Sequence, residues 1–185
     1  MLKFVALGAA LFAAPASVSP GAVVSAVTGA WDGSGGANRA VLIDDPANLA
    51  VDLAIYVDAI GDTDHKVTLA AFAHDIAPSG TLFGTIPELR QTRDGALILH
   101  SESTAGGGSQ WTRDMQLAWR NGHFVVAGVR LKAWDPRDPA EGGSCDLNYL
   151  NGKGSVGKSG AVKVAAGGIP VEAWTEARIP NDCVF

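Results

Sequence analysis

The chain is poor in the residue types that carry most metal, thiol and nucleic-acid chemistry. It has 185 residues, only two of them cysteine and four histidine. Cys145 and Cys183 have neither CxxC spacing nor a histidine nearby, which argues against a zinc site or a reactive thiol pair. His65, His74, His100 and His123 fall in separate segments without HExxH or similar ligand spacing, and each reads as a surface or strand-end residue. No metal site and no cofactor is assigned. Lys and Arg together number 14 against 19 Asp and Glu, a formal charge of −5. That balance gives no basic footprint for nucleic acid or anionic lipid. Aromatic residues make up 7% of the chain. Trp31, Trp111, Trp134 and Trp174 are in number enough for a stacking surface, but packing is the default for tryptophan. Beyond the N-terminus no apolar run approaches the roughly 20 residues needed to span a bilayer.

What the chain does have is concentrated first at its N-terminus. Met1-Leu2-Lys3 supplies one positive charge, Phe4 to Ala14 carries none, and Ala14-Pro15-Ala16 places small residues where a signal peptidase reads them. This layout predicts a secretory signal peptide over 1–16, cleaved near Ala16. The apolar stretch is too short for an anchor, and no cysteine follows it for lipidation. The expected mature chain, 17–185, is one domain without stable membrane insertion, periplasmic or secreted. Losing Lys3 takes its formal charge from −5 to −6. In an oxidising compartment two cysteines read first as a single disulfide, Cys145 to Cys183, tying the C-terminus to the body of the domain.

Periodicity points to strands. Val51-Asp-Leu-Ala-Ile-Tyr-Val57 alternates with a period of two, and Ala40–Ile43, Val67–Phe72, Ala96–Leu99 and Gly160–Ala165 read as further strands. Gly and Pro together total 32 residues (23 and 9), leaving little room for long helices. Asn121-Gly122 predicts a two-residue hairpin pairing Arg120 with His123, Trp119 with Phe124, Leu117 with Val126 and Met115 with Gly128. The first strand then buries Met115, Leu117 and Trp119. The second is apolar on both faces, Val129 and Leu131 included on the outer one, and reads as central. Asp94-Gly95 predicts a second tight hairpin. The expected fold is all-β, mainly antiparallel, a single sandwich or barrel-like domain with short helical turns at most.

Three segments imitate chemistry. Gly152-Lys-Gly-Ser-Val-Gly157-Lys158-Ser159 satisfies the P-loop pattern, but a phosphate cradle must open a helix. The residues after Ser159 are β-like and stopped by Gly-Gly and Pro170, so the segment reads as a turn and no ATP site is assigned. Asp32-Gly-Ser34-Gly-Gly36 resembles a serine-protease nucleophile segment with two residues exchanged, or with Asn38 a calcium loop; without a positioned His and carboxylate, or a second acidic ligand, it reads as a Gly-rich turn. Asp58, Asp62 and Asp64 form an acidic cluster that reads as a solvated loop tip.

Over most of its expected mature length the chain is similar to a family of uncharacterised exported proteobacterial proteins. The likeness rests on Trp111-x-Arg113, Leu117 to Gly128, Trp134-Asp135, Cys145-Asp-Leu-Asn-Tyr-Leu-Asn-Gly-Lys153 and Ile179-Pro-x-x-Cys183. The resemblance implies no activity and no catalytic residues. It supports the pairing of Cys145 with Cys183 and accounts for Gly152 as part of the Asn-Gly-Lys segment.

The function expected is a non-enzymatic periplasmic binding or envelope accessory module, meeting an unknown protein or small-molecule ligand through a loop cluster holding Trp134, Asp135, Asp146 and Asn148. The alternatives are a small secreted hydrolase using carboxylates such as Asp135 and Asp146, and a purely structural envelope protein. No catalytic residue is assigned.

Overall fold

A computed structural model describes residues 22–58, 67–80, 84–104, 108–157 and 160–183. Strands β1 (Val23–Gly29), β2 (Asn38–Asp45), β3 (Ala50–Asp58) and β4 (Val67–Pro78) form one antiparallel sheet in chain order. A second antiparallel sheet comes after it: β5 (Glu88–Gln91), β6 (Leu97–Ser103), β7 (Gln110–Arg120), β8 (His123–Asp135), β9 (Asp138–Asn148), β10 (Lys153–Val156) and β11 (Gly160–Lys163), again in chain order. A two-residue strand, β12 (Ile169–Pro170), returns to pair with β8. The remaining chain makes single 3-10 turns at Val171–Ala173, Glu176–Arg178 and Asn181–Cys183. This is the all-β antiparallel sandwich, with only short helical turns, that period-two patterning and frequent Gly and Pro dictate.

Alternation sends one set of side chains from each sheet into a shared core. Leu42, Leu53 and Ile55 come from the small sheet, and Leu99, Met115, Val129 and Leu147 from the large one. The sheets meet at one side, where Ser25 Oγ of β1 accepts a hydrogen bond from the Leu89 amide of β5 at 2.9 Å. Beyond β7 the core is completed by the C-terminal segment, whose Ile169, Val171, Trp174 and Cys183 are all buried. Cys145 and Cys183 are joined, with Cα atoms 5.6 Å apart.

The Asn121-Gly122 hairpin forms with positive φ at both residues, 51° and 86°, and pairs Arg120 with His123, Trp119 with Phe124 and Leu117 with Val126 as predicted. Farther out the register departs from expectation. Met115 faces Val129, not Gly128, because Ala127 is an extra residue in β8 opposite the Gln116–Leu117 step. A bulge of one residue reverses the facing of everything beyond it. Val129 and Leu131 therefore turn inward, while Gly128, Arg130 and Lys132 fall on the outer face. β8 is central as expected, flanked by β7 and β9. The Asp94-Gly95 hairpin also exists, but its connection runs from Thr92 to Ala96. Thr92 Oγ1 bonds Asp94 and receives the Ala96 amide, so a side chain rather than a two-residue turn sets the loop length.

Gly152 lies in the β9–β10 turn and Gly157 follows the end of β10, while Lys158 and Ser159 lie outside the described residues. The next described element is strand β11, with Gly160 paired to Val156, so the described residues on either side belong to strands and not to a helix N-terminus. Among the described residues no helix is long and apolar enough to cross a membrane. The segment 1–16, Asp62, Asp64 and His65 lie outside the described residues.

A candidate binding groove on the outer face of the large sheet

The bulge at Ala127 gathers polar residues on the outer face of β5–β10. One cross-strand row reads Glu88, His100, Asp114, Arg130, Asp146 and Ser155 from β5 to β10. Asp114 lies 2.6 Å from His100 Nδ1, and Glu102 lies 3.4 Å from Nε2. His100 is buried in mid-strand, against the expectation of a surface or strand-end residue, because its ring lies down between these two carboxylates. Arg130 donates through Nε and Nη2 to Asp146 at 3.2 and 3.1 Å.

The adjoining row carries Ile98, Gln116, Gly128 and Asn148. Gly128 has no side chain to fill its place, and the result is a groove of about 350 Å³. Its walls are Asp114, Gln116, Arg130, Asp146 and Asn148, with Ile98 and Leu150 as apolar contacts. Asn148 Oδ1 accepts the amides of Leu150 and Asn151, which fixes its side chain and leaves the amide nitrogen available. The groove thus offers donors and acceptors side by side over an open backbone floor. That pattern suits a ligand rich in hydroxyl groups better than one of a single charge.

The four residues expected on one loop are distributed differently. Asp146 and Asn148 stand in strand β9 and line the groove. Trp134 belongs to the same face, farther along β8, with the Lys132 ammonium 5.5 Å from its ring. Asp135 sits at the β8–β9 turn, where the Arg137 side chain bonds it and holds its carboxyl down at about 2. The stretch is a strand hairpin because Gly142 to Asn148 pairs with β8 residue for residue, with Asp138 facing Asp135 across a register break next to the turn. Asp135 lies five residues along β8 from Arg130, the partner of Asp146, a span of about 16 Å. The two carboxylates named for a hydrolase are not brought together.

The Trp31–Gly36 segment is a turn held by its own polar groups. Asp32 Oδ1 accepts from the Ser34 amide and hydroxyl, and Asn38 Oδ1 from the amides of Trp31 and Asp32. Asp58 pairs with Arg39 at 2.5 Å. Two groupings escaped sequence reasoning. Asp45, Asp52 and Asp75 place carboxylate oxygens within 4.8 Å of one another, from three different strands. Arg113 turns inward from β7 and is buried, its Nη1 donating to Glu176 at 2.5 Å. Only the inward alternation of Met115 and Leu117 signals it, since Arg113 occupies the next position on that face.

Fold and groove together define an antiparallel β-sandwich carrying a polar trough on one sheet. No family model matches the chain, and no curated protein or solved structure matches it.

Proposed function

We propose that this protein is an exported, non-enzymatic binding module that takes a hydroxyl-rich ligand, such as a glycan segment, in the outer-face groove of β7–β9. The observation that carries the reading is the set of Asp114, Gln116, Arg130, Asp146 and Asn148 around the floor at Gly128. Charge there is nearly balanced, and amides supply donors and acceptors together. A ring stacked edge-on or flat over a glycine floor can meet those groups without displacing a side chain. Export is supported by the Met1–Ala16 pattern and by the Cys145–Cys183 disulfide, which an oxidising compartment maintains.

One observation favours the hydrolase alternative. Asp114, backed by His100, and Asp146 flank the same groove, about 10 Å apart across two strand spacings. Arg130, however, stands on the strand between them, where a bond to be cleaved must lie. Binding is therefore the better reading.

The test is calorimetric titration of the exported protein with soluble oligosaccharides, N-acetylglucosamine oligomers and maltotetraose first, beside Gln116→Ala and Asn148→Ala. Saturable binding weakened about tenfold or more by either variant supports the reading. Absence of binding to any neutral oligosaccharide overturns it, and release of reducing ends that disappears in Asp114→Asn moves the assignment to a hydrolase. The mass of the exported chain should place its N-terminus at Ser17.

A further inference from the structure

The two sheets present different outer faces. On the large sheet the outward positions carry Asp114, Gln116, Arg130 and Asp146, as a water-facing sheet should. On the small sheet they are largely apolar. One cross-strand row of its outer face reads Ala26, Val41, Ala54 and Phe72 from β1 to β4, without a polar side chain. The row on one side contributes Val23 and Ile43, and the row on the other contributes Tyr56 and Leu69. Val41, Ile43, Tyr56 and Phe72 stand outside the hydrophobic core, because Leu42, Leu53 and Ile55 of the same strands alternate to the opposite face. Val23 and Leu69 are 43% and 50% exposed, and Val67, the outward residue beyond Leu69, is 45% exposed. A contiguous apolar face of this kind marks a surface of association.

The charges around this face stand at its two ends. Arg39, in the row of Tyr56 and Leu69, is bonded through Nη1 and Nη2 to Asp58, at 2.5 and 3.4 Å. Two of its five N–H groups are used in this way, and the side chain is 45% exposed. At the opposite end Asp45, Asp52 and Asp75 hold carboxylate oxygens within 4.8 Å of one another, with His74 Nδ1 3.3 Å from Asp52. Along β2 the distance from Arg39 to Asp45 is about 20 Å. A two-fold axis lying in the contact plane, across the strands, would set Arg39 of each chain over Asp45 of the other. The same rotation lays Val41 of each chain over Ile43 of the other, because the axis crosses β2 midway between the members of both pairs. An axis along the strands would instead stack the two acidic ends on each other. The face is therefore self-complementary in one orientation, as a two-fold contact requires.

We propose that two copies of this chain associate through the outer faces of their small sheets in that orientation, each covering the apolar row of the other. Sheets packed face to face lie about 10 Å apart, close enough for the side chains of the two rows to interdigitate. The face is four strands wide and about eight residues long, roughly 500 Å² on each copy. The pair then buries about 1,000 Å², the lower bound for specific association, so the dimer is a reversible one that forms at about 10–100 µM. The groove on the large sheet lies on the far side of each copy and stays open. The association does not depend on what that groove binds.

The test is sedimentation equilibrium of the exported chain from about 5 µM to about 1 mM, a range in which the mass should pass from monomer to dimer. Leu69→Lys and Arg39→Glu should each weaken the association about tenfold or more. Both side chains are exposed, so the variants keep the fold. Ile86→Lys, at a residue 64% exposed but off this face, should associate as wild type does. A monomer mass at every concentration overturns the proposal, whether the face is then bare, covered by another protein or covered by other residues of the same chain. Association unchanged in Leu69→Lys or in Arg39→Glu also overturns it, because the contact then lies elsewhere or in another orientation.

Discussion

Gly128 in β8 lies so close to β9 that a Cβ built on it would stand 2.8 Å from the carbonyl oxygen of Leu147. Backbone cannot yield as a flexible side-chain tip can, so any larger residue must push the two strands apart. Gly128→Ala should lower stability by about 1–3 kcal/mol, the usual cost of forcing volume into a packed position. Urea denaturation measures it, and the midpoint should fall with the slope unchanged. Wild-type stability in Gly128→Ala would show that β8 and β9 are not in this register. The same methyl would reach the floor of the groove, so ligand affinity and stability should fall together.

The link between Cys145 and Cys183 fastens the C-terminal segment where the small sheet does not reach. It closes a loop of 38 residues. On the chain-entropy estimate such a closure stabilises by roughly 3–4 kcal/mol. Cys145→Ala with Cys183→Ala should lose about that amount in chemical denaturation and expose Trp174, which is buried against Tyr149 with ring centroids 5.8 Å apart. Tryptophan fluorescence should shift to the red in the variant before global unfolding. Peptide mapping under non-reducing conditions should recover the two cysteines in one linked fragment, and two free thiols in exported protein would refute the linkage.

The strands were legible because a half-buried strand writes its burial into alternate letters, as Val51 to Val57 does. Asn121-Gly122 was legible because few residue pairs accept positive φ twice. The bulge at Ala127 was not, since a run such as Phe124-Val-Val-Ala-Gly-Val129 is apolar throughout and no phase break is visible within it. Missing that one residue assigned Val129 and Leu131 to the wrong face and hid the groove, whose floor is the glycine displaced by the bulge. His100 with Asp114, and Asp45 with Asp52 and Asp75, are meetings of separate strands, and only the register creates them. Asp146 and Asn148 were named from a motif, whereas Gln116 and Arg130 lie beside them through pairing alone.

Gly122 takes φ 86° in the hairpin turn, a region that a Cβ disfavours by about 1–2 kcal/mol. Gly122→Ala should therefore destabilise by about 1 kcal/mol although nothing lies within 4 Å of the added methyl. The penalty comes from the backbone alone. Asn121→Gly should be tolerated far better, because glycine accepts the φ of 51° at that position without strain. The comparison is made by thermal melts of the two variants, and an equal loss in both would exclude the two-residue turn.

Tyr149 joins the C-terminal segment to the sandwich and gives it a pH limit. Its hydroxyl donates to the Arg178 carbonyl oxygen at 2.9 Å, and the residue is 1% exposed. Burial, with the nearby Glu176 charge adding to it, pushes the phenol up from 10.0 to about 12. A folded-state value raised above the unfolded one gives a contribution that is complete below pH 10 and is lost as pH rises towards 12. Two units correspond to about 2–3 kcal/mol, so stability should fall by up to that amount across this window. Tyr149→Phe removes the titration. It should cost about 1 kcal/mol at neutral pH through the lost hydrogen bond. Above pH 10 its stability should decline less steeply than that of wild type, so that the two curves converge. Parallel curves in denaturation experiments across this range would mean that the Tyr149 hydroxyl reaches solvent and that the C-terminal segment does not close over it.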